Sequence, residues 1–287
     1  MLLVFIGCAV ENMSQSWQLD RLRILGAQMT PAEPKPGETI EFKSLVYAPE
    51  DQPLETVIWF ACLNENASSF GCNIDPSVLE SNDLTELEEA GFAGFEPEQF
   101  PFGAPNWTVP QDALDALEDS EKEEGISGFV NITAIPLIED NTQETQSFQD
   151  STLQDQLELA YKRFPISLSL NPNQNPSLTG FKIDDVEYTE FQAQSGKTYN
   201  IEPLLSADSV ETYNYTPPNS EPEIREEEPY FIWYAEGGLF FQAFSLHPFS
   251  GVEWTAPPAP WSGKIISVVR DRRGGMDWNW LEITVED

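Results

Sequence analysis

Across residues 17–62, apolar and polar positions alternate in three short runs, 21–29, 39–47 and 56–62, each bounded by turn-forming residues; this predicts three β-strands with one buried face. In the second run Ile40, Phe42 and Val46 share one side while Glu41 and Lys43 take the other, as a sheet covering a core requires. Pro34-Lys-Pro-Gly37 forces the preceding turn, because the prolines fix φ and Gly37 frees it. The same grammar returns after Asn175. Strands are expected at 178–186 and 198–205, then at 230–236, where Trp233 sits mid-run in an aromatic segment that Gly237-Gly238 turns into 239–243. Val252-Glu-Trp-Thr-Ala-Pro257 leads to a last hairpin, 263–270 and 278–285, joined by the tight turn Asp271-Arg-Arg-Gly-Gly275. Leu281, Ile283 and Val285 alternate there with Glu282, Thr284 and Glu286, the plainest strand pattern in the chain.

The material between these blocks reads differently. Residues 63–125 contain two acidic segments expected as helices, 83–90 and 111–124, around an aromatic and proline-rich centre at 91–107. In the second, Ala113, Leu114, Ala116 and Leu117 make one face greasy against an acidic one. A strand resumes at 130–134, a third helix is expected at 151–163, and a closing strand at 165–170. Asn171-Pro-Asn-Gln-Asn-Pro176 is the best linker, since alternating Asn and Pro sustain neither regular element. The expected fold is therefore mainly β, with two β-sandwiches of which the first carries a partly helical insertion at about 63–125. The expected organisation is a tether at 1–16, a first domain at 17–170, the linker 171–176 and a second domain at 177–287.

Charge narrows the function classes. The chain has 49 acids against 14 bases, a formal net charge of -35, so the clustered cations that hold a nucleic-acid backbone are not expected. Its single histidine leaves little for a multi-histidine metal centre, and no apolar run reaches the roughly 18 residues of a membrane-spanning helix. His247 lies in the loop segment Ser-Leu-His-Pro-Phe, and with no Gly-x-Ser-x-Gly elbow it reads as a rim histidine rather than a catalytic base. The acidic run 221–228 reads as a hydrated loop.

Three resemblances add to this reading. Trp59 in Val-Ile-Trp-Phe-Ala-Cys and Trp233 in Tyr-Phe-Ile-Trp-Tyr-Ala-Glu are placed like the core tryptophan of an immunoglobulin-like sandwich. Residues 175–287, with a Trp-Tyr strand, Trp-Thr-Ala-Pro and Val-Arg-Asp-x-x-Gly-Gly in that order, resemble the PKD-type and related immunoglobulin-like modules of bacterial surface proteins, which implies a secreted, non-catalytic scaffold or contact module. The opening Met1-Leu-Leu-Val-Phe-Ile-Gly-Cys8 resembles the end of a bacterial lipoprotein signal peptide, which implies lipidation at Cys8; Ala9 after it implies the outer membrane rather than the inner. Setting Cys8 aside leaves Cys62 and Cys72, which suit one local disulfide in an oxidising compartment; the rival C-x9-C metal half-site lacks two further soft ligands nearby.

Candidate contact residues are Phe92, Phe95, Phe100, Phe102 and Trp107, which form either a cap over the first core or an exposed patch for a protein or glycan partner. Weak calcium candidates are Asp184, Asp185, Asp271 and Asp277, in oxygen-rich turns that do not match an EF-hand; no other cofactor is implied. For the second pair a solvated hairpin with an ion pair is the simpler reading. The expectation is a non-catalytic envelope lipoprotein, held at the membrane by its lipid and acting as a structural or binding module, with acidity favouring cationic partners. The alternative is a secreted hydrolase or enzyme accessory subunit using an acidic cleft.

Overall fold

The computed structural model describes residues 15–63, 72, 83–96, 104–137, 156–215, 221 and 223–286. The lipidation candidate Cys8 and the contact candidates Phe100 and Phe102 lie outside the described residues.

The first half forms β1 (Arg23–Thr30), β2 (Thr39–Tyr47), β3 (Leu54–Leu63), α1 (Leu84–Glu89), β4 (Phe92–Glu96), β5 (Asn106–Thr108), β6 (Ile126–Pro136) and β7 (Glu158–Ile166). These pair as two sheets, β1-β2-β5 and β4-β3-β6-β7. The order matches strands A-B-E facing C′-C-F-G of an immunoglobulin-like sandwich. Between the sheets lie Met29, Ile40, Phe42, Val57, Trp59, Val130, Ile132, Phe164 and Ile166, with Phe42 stacked on Trp59 at 5.1 Å. Inward and outward positions alternate along each strand, so period-two burial is what makes these residues strands.

The second half forms β8 (Leu178–Ile183), β9 (Val186–Tyr188), β10 (Glu190–Gln194), β11 (Thr198–Leu205), β12 (Thr212–Tyr215), β13 (Glu223–Glu226), β14 (Tyr230–Ala235), β15 (Leu239–Phe240), β16 (Phe244–Leu246), β17 (Val252–Thr255), β18 (Trp261–Arg270) and β19 (Met276–Glu286). Its sheets run β15-β17-β11-β8-β9 and β10-β19-β18-β14-β16, with β10 parallel to β19. That is D-E-B-A, with β9 added beside A, facing A′-G-F-C-C′, an immunoglobulin-like order with Trp233 on the C strand. Trp233 and Trp254 are fully buried in its core.

A third apolar cluster joins the halves. Along β18, Ile265 and Val269 face the second core while Ile266 and Val268 face the first domain. Met276 and Trp278 of β19 face the same way, and all four meet Leu25 of β1 with Leu45 and Tyr47 of β2. A strand buried on both faces reads as a near-continuous apolar run, which is why 265–269 lacks alternation.

The sequence reading is corrected at several points. Residues 111–124 form consecutive turns instead of a helix, with most backbone hydrogen bonds reaching back three residues, as from Ala113 to Pro110 and Leu117 to Leu114. Seven acids against Lys122 alone repel one another at helical spacing, while Leu114 gains by burial in the first core. Residues 158–163, expected within a third helix, belong to β7; pairing with β6 along the whole length of β7 overrides local propensity. The closing strand expected at 165–170 is accordingly only the end of β7, at Ile166. The insertion is also integrated into the sandwich, since β4 extends one sheet and β5 the other. Trp17, expected in the first domain, packs in the second core edge-on to Phe240, and Leu19 donates to Ala235 O. The acidic run contains β13, paired with β12, and buries Glu227 next to its exposed end.

Cys62 at the end of β3 is disulfide-bonded to Cys72, with Cα atoms 5.6 Å apart. A ring of that size constrains the unfolded chain by about 3 kcal/mol in the loop-entropy model. The double variant Cys62→Ser with Cys72→Ser is expected to lose about that much in urea unfolding, and reductant is expected to shift the unaltered protein by a like amount and leave the variant unmoved.

Candidate functional site: a cationic cleft between the sandwiches

The site begins with the turn between β18 and β19. Asp271 folds back over it, its Oδ1 accepting N–H bonds from Arg273 (2.7 Å), Gly274 (3.0 Å) and Gly275 (2.9 Å). A side chain at Gly275 would put its Cβ 2.0 Å from Asp271 Oδ2, so this turn requires glycine there. Asp271 Oδ2 accepts from Asn173 Nδ2 at 2.8 Å, and Asn173 N donates to Glu33 Oε2 at 2.7 Å. The segment 171–176 is therefore irregular, as its Asn and Pro content predicts, but it is clasped between the domains, with Asn173 fully buried.

The turn presents Arg273 to three carboxylates: Glu227 at 3.0 Å, Glu33 at 3.4 Å and Glu211 at 3.5 Å. Its guanidinium also lies 4.6 Å from the centre of the Tyr213 ring. Glu33 comes from the first domain and the other two from the second, so one guanidinium ties the halves together. The hairpin expected to be solvated is thus a buried junction, because docking of the sandwiches removes water from it. Burial pushes the Glu227 carboxyl up to about 7 and raises that of Asp271.

Beside this junction lies a cleft of about 880 Å³, bounded by β1 and β7 of the first sandwich and the β18–β19 turn of the second. Five of the chain's 14 Lys and Arg residues line it, namely Lys162, Arg163, Arg270, Arg272 and Arg273, against one lining acid, Glu124. Lys162 Nζ donates to Ala27 O at 2.7 Å, and Arg270 Nη2 donates to Leu25 O at 3.3 Å. Both thus cover carbonyls on the open edge of β1. Arg272 pairs with Glu228 at 3.2 Å and Arg163 Nε donates to Ser127 Oγ at 2.6 Å. Burial, with Arg270 alongside, pushes the Lys162 ammonium down to about 7.

A pH prediction follows from Glu227. Its folded value lies above the ordinary 4.5, so the folded protein binds the extra proton between about pH 4.5 and 7, and stability falls as pH rises through that range. Lys162 acts with opposite slope above about 7, where the folded protein has already released a proton that the unfolded chain keeps to about 10.5. Glu227→Gln is expected to flatten the acid side of a stability-against-pH profile measured by urea unfolding. At pH 7.5 it is expected to be at least as stable as the unaltered protein, since Arg273 retains Glu33 and Glu211.

The sequence candidates are placed as follows. Half-buried Phe92 and Phe95 make an edge-on ring contact at 4.9 Å, Phe92 also meets Phe60, and Trp107 packs on the first core against Phe164. Asp184 and Asp185 form the left-handed turn between β8 and β9. Asp277 accepts from Leu178 N at 2.8 Å and Gln28 Nε2 at 3.4 Å, and Asp271 is held as above, so both carboxylates already serve N–H donors. Among the described residues no group of three acidic, His or Cys side chains is gathered for a metal ion.

Two features were missed in the sequence. The cationic cleft joins residues more than a hundred positions apart, with no local signal. The other is an exposed apolar edge on the second sandwich, where Leu239, Phe241, Phe244 and Phe249 are open to solvent, Phe241 at 88% and Phe249 at 87%. Its signal was available as three phenylalanines with no alternating partner run.

No protein-family model and no curated protein sequence matches the chain. Solved structures overlap it loosely. Fibronectin(III)-like modules of Clostridium thermocellum CbhA align over 91% of this chain and 94% of theirs, at 8% identity and TM-score 0.26. The D00-D0 domain of Intimin covers 93% and 99%, at 10% identity and TM-score 0.26. The two tandem V-type regions of VCBP3, a v-region-containing chitin binding protein, cover 91% and 100%, at 12% identity and TM-score 0.29. Overlaps this loose carry no argument about function, and the sandwich assignment rests on the sheet orders and cores above.

Proposed function

We propose that this chain is a non-catalytic binding module of the bacterial cell envelope, lipidated at Cys8 and held at the outer membrane, which presents two rigidly docked sandwiches to a partner. The observation that carries the binding reading is the set of exposed apolar side chains within 239–249, Phe241 and Phe249 above all, because aromatic side chains open to solvent are what binding surfaces use as anchors. Two further facts support it. The buried carboxylates Glu33, Glu227 and Asp271 are committed to Arg273 and to N–H donors, and His247 has no carboxylate within ion-pair distance among the described residues. The apolar and hydrogen-bonded junction also holds the two surfaces at a fixed angle, which reduces the ordering cost of binding.

Purified protein is expected to be retained saturably on isolated envelopes, with Phe241→Ser plus Phe249→Ser abolishing retention and leaving thermal stability unchanged. Equal retention by the variant, or shortening of envelope polysaccharide during incubation, overturns the reading. Labelled palmitate is expected to enter the chain and be lost with Cys8→Ser; recovery only as unlabelled cytosolic protein overturns the localisation.

A further inference from the structure

β1 and β7 are edge strands of opposite sheets in the first sandwich, so the seam between them has no backbone ladder to close it. Lys162 reaches across that seam from β7, and Arg270 reaches it from the second domain. Covering β1 accounts for one donor on each. An ammonium carries three N–H groups and a guanidinium five, and Arg270 Nε is buried with no acceptor. No carboxylate lies within ion-pair distance of either cation among the described residues, in a chain with 49 acids and 14 bases. The neighbouring arginines differ, since Arg272 and Arg273 are both paired.

The cleft sets apolar side chains beside these two cations in a mixed lining. Ile24, Ala160, Phe164, Met276 and the Tyr230 ring line it, and Arg163 stands at its exposed rim. The backbone N–H nest of the β18–β19 turn, of the kind that cradles phosphate, is filled by Asp271. We propose that the cleft is a binding site for a monocarboxylate with an apolar body, its carboxylate received between Lys162 and Arg270 and its body against the partly exposed Ile24, Ala160 and Tyr230 ring. A guanidinium and an ammonium match a carboxylate by charge-assisted hydrogen bonds, while the apolar side chains in the lining favour an anion that carries an apolar body over a small hydrated one. Burial, with Arg270 alongside and Asp271 offsetting them only in part, holds the Lys162 ammonium down, and a bound carboxylate would restore it. The inference rests on the binding reading above only in treating the protein as a receptor; it uses a different surface.

The test uses the purified protein with benzoate, acetate and inorganic phosphate at matched ionic strength. Benzoate is expected to bind saturably in calorimetric titration and to raise the melting temperature, acetate to bind at least about tenfold more weakly, and phosphate to act no differently from chloride. Arg270→Met is expected to weaken benzoate at least about tenfold. A second measurement needs no variant: benzoate is expected to slow acetylation of Lys162 by acetic anhydride, read by peptide mass, and to leave the exposed Lys35 and Lys197 unchanged. Failure of benzoate to bind or to protect Lys162 overturns the site, and equal protection by phosphate overturns the carboxylate class. Either failure leaves envelope retention through Phe241 and Phe249 intact, so the two readings fail separately.

Discussion

Arg273→Met is expected to lower the unfolding free energy by about 3 to 5 kcal/mol, the cost of leaving buried charges without their partner. The guanidinium is the only cation within ion-pair distance of Glu33 and Glu227 among the described residues, and their side chains are 7% and 1% exposed. Methionine fills similar volume but donates nothing, so both carboxylates must either stay ionised in a dry junction or take up protons. The loss is therefore expected to be largest at pH 8 and to shrink towards pH 5, where protonation relieves it. Urea unfolding at the two pH values measures this. Adding Glu227→Gln to the variant is expected to recover part of the loss, the mark of coupled residues. A loss below about 1 kcal/mol at pH 8 would mean that solvent screens the junction as it screens a surface pair.

Trp233→Ala is expected to cost about 3 to 5 kcal/mol, as for other buried aromatic truncations. The ring is fully buried in the second core, tilted against Phe181 at 5.8 Å and Phe240 at 6.2 Å, and its Nε1 donates to Ser245 Oγ at 3.0 Å. Trp233→Phe keeps most of the apolar volume and gives up that bond; Ser245 keeps its own bond to Ser250 O, so the loss is expected to be about 1 to 2 kcal/mol. The cluster of Leu25, Ile266, Val268 and Trp278 couples the sandwiches, so Trp233→Ala is also expected to unfold in one transition. Two separated transitions in circular dichroism would show that the domains melt independently. A cost under about 1 kcal/mol would remove Trp233 from the role its burial assigns.

Both variants probe features that differ in how far the sequence announces them. Trp233 could be placed from its neighbours, because a strand with alternating burial puts the central residue of Tyr-Phe-Ile-Trp-Tyr-Ala on the core side, and the strand is bounded by Gly237-Gly238. Trp59 followed from the same logic. The segment 111–124 failed for a physical reason: apolar residues at helical spacing predict a helix only when the polar face tolerates one, and this face is a run of acids. Residues 158–163 failed because an edge strand with Leu159 and Tyr161 turned outward hides its alternation, and only pairing with β6 reveals it. The candidate site was the least legible part. Asp271, Arg272 and Arg273 were visible as a charged turn, and a charged turn by itself implies water.

The chain's own order of residues determined the strands, the two tryptophan-centred cores, the final hairpin and the local pairing of Cys62 with Cys72, since each depends on periodicity or on neighbours near in the chain. Tertiary structure alone decided the junction and the cleft. Lys162, Arg270 and Glu33 lie far apart in sequence, and whether a charged side chain is solvated, paired or left facing another cation depends on which surfaces exclude water around it. That exclusion arises when Trp278 and Val268 bury against Leu25, an event to which local pattern carries no clue.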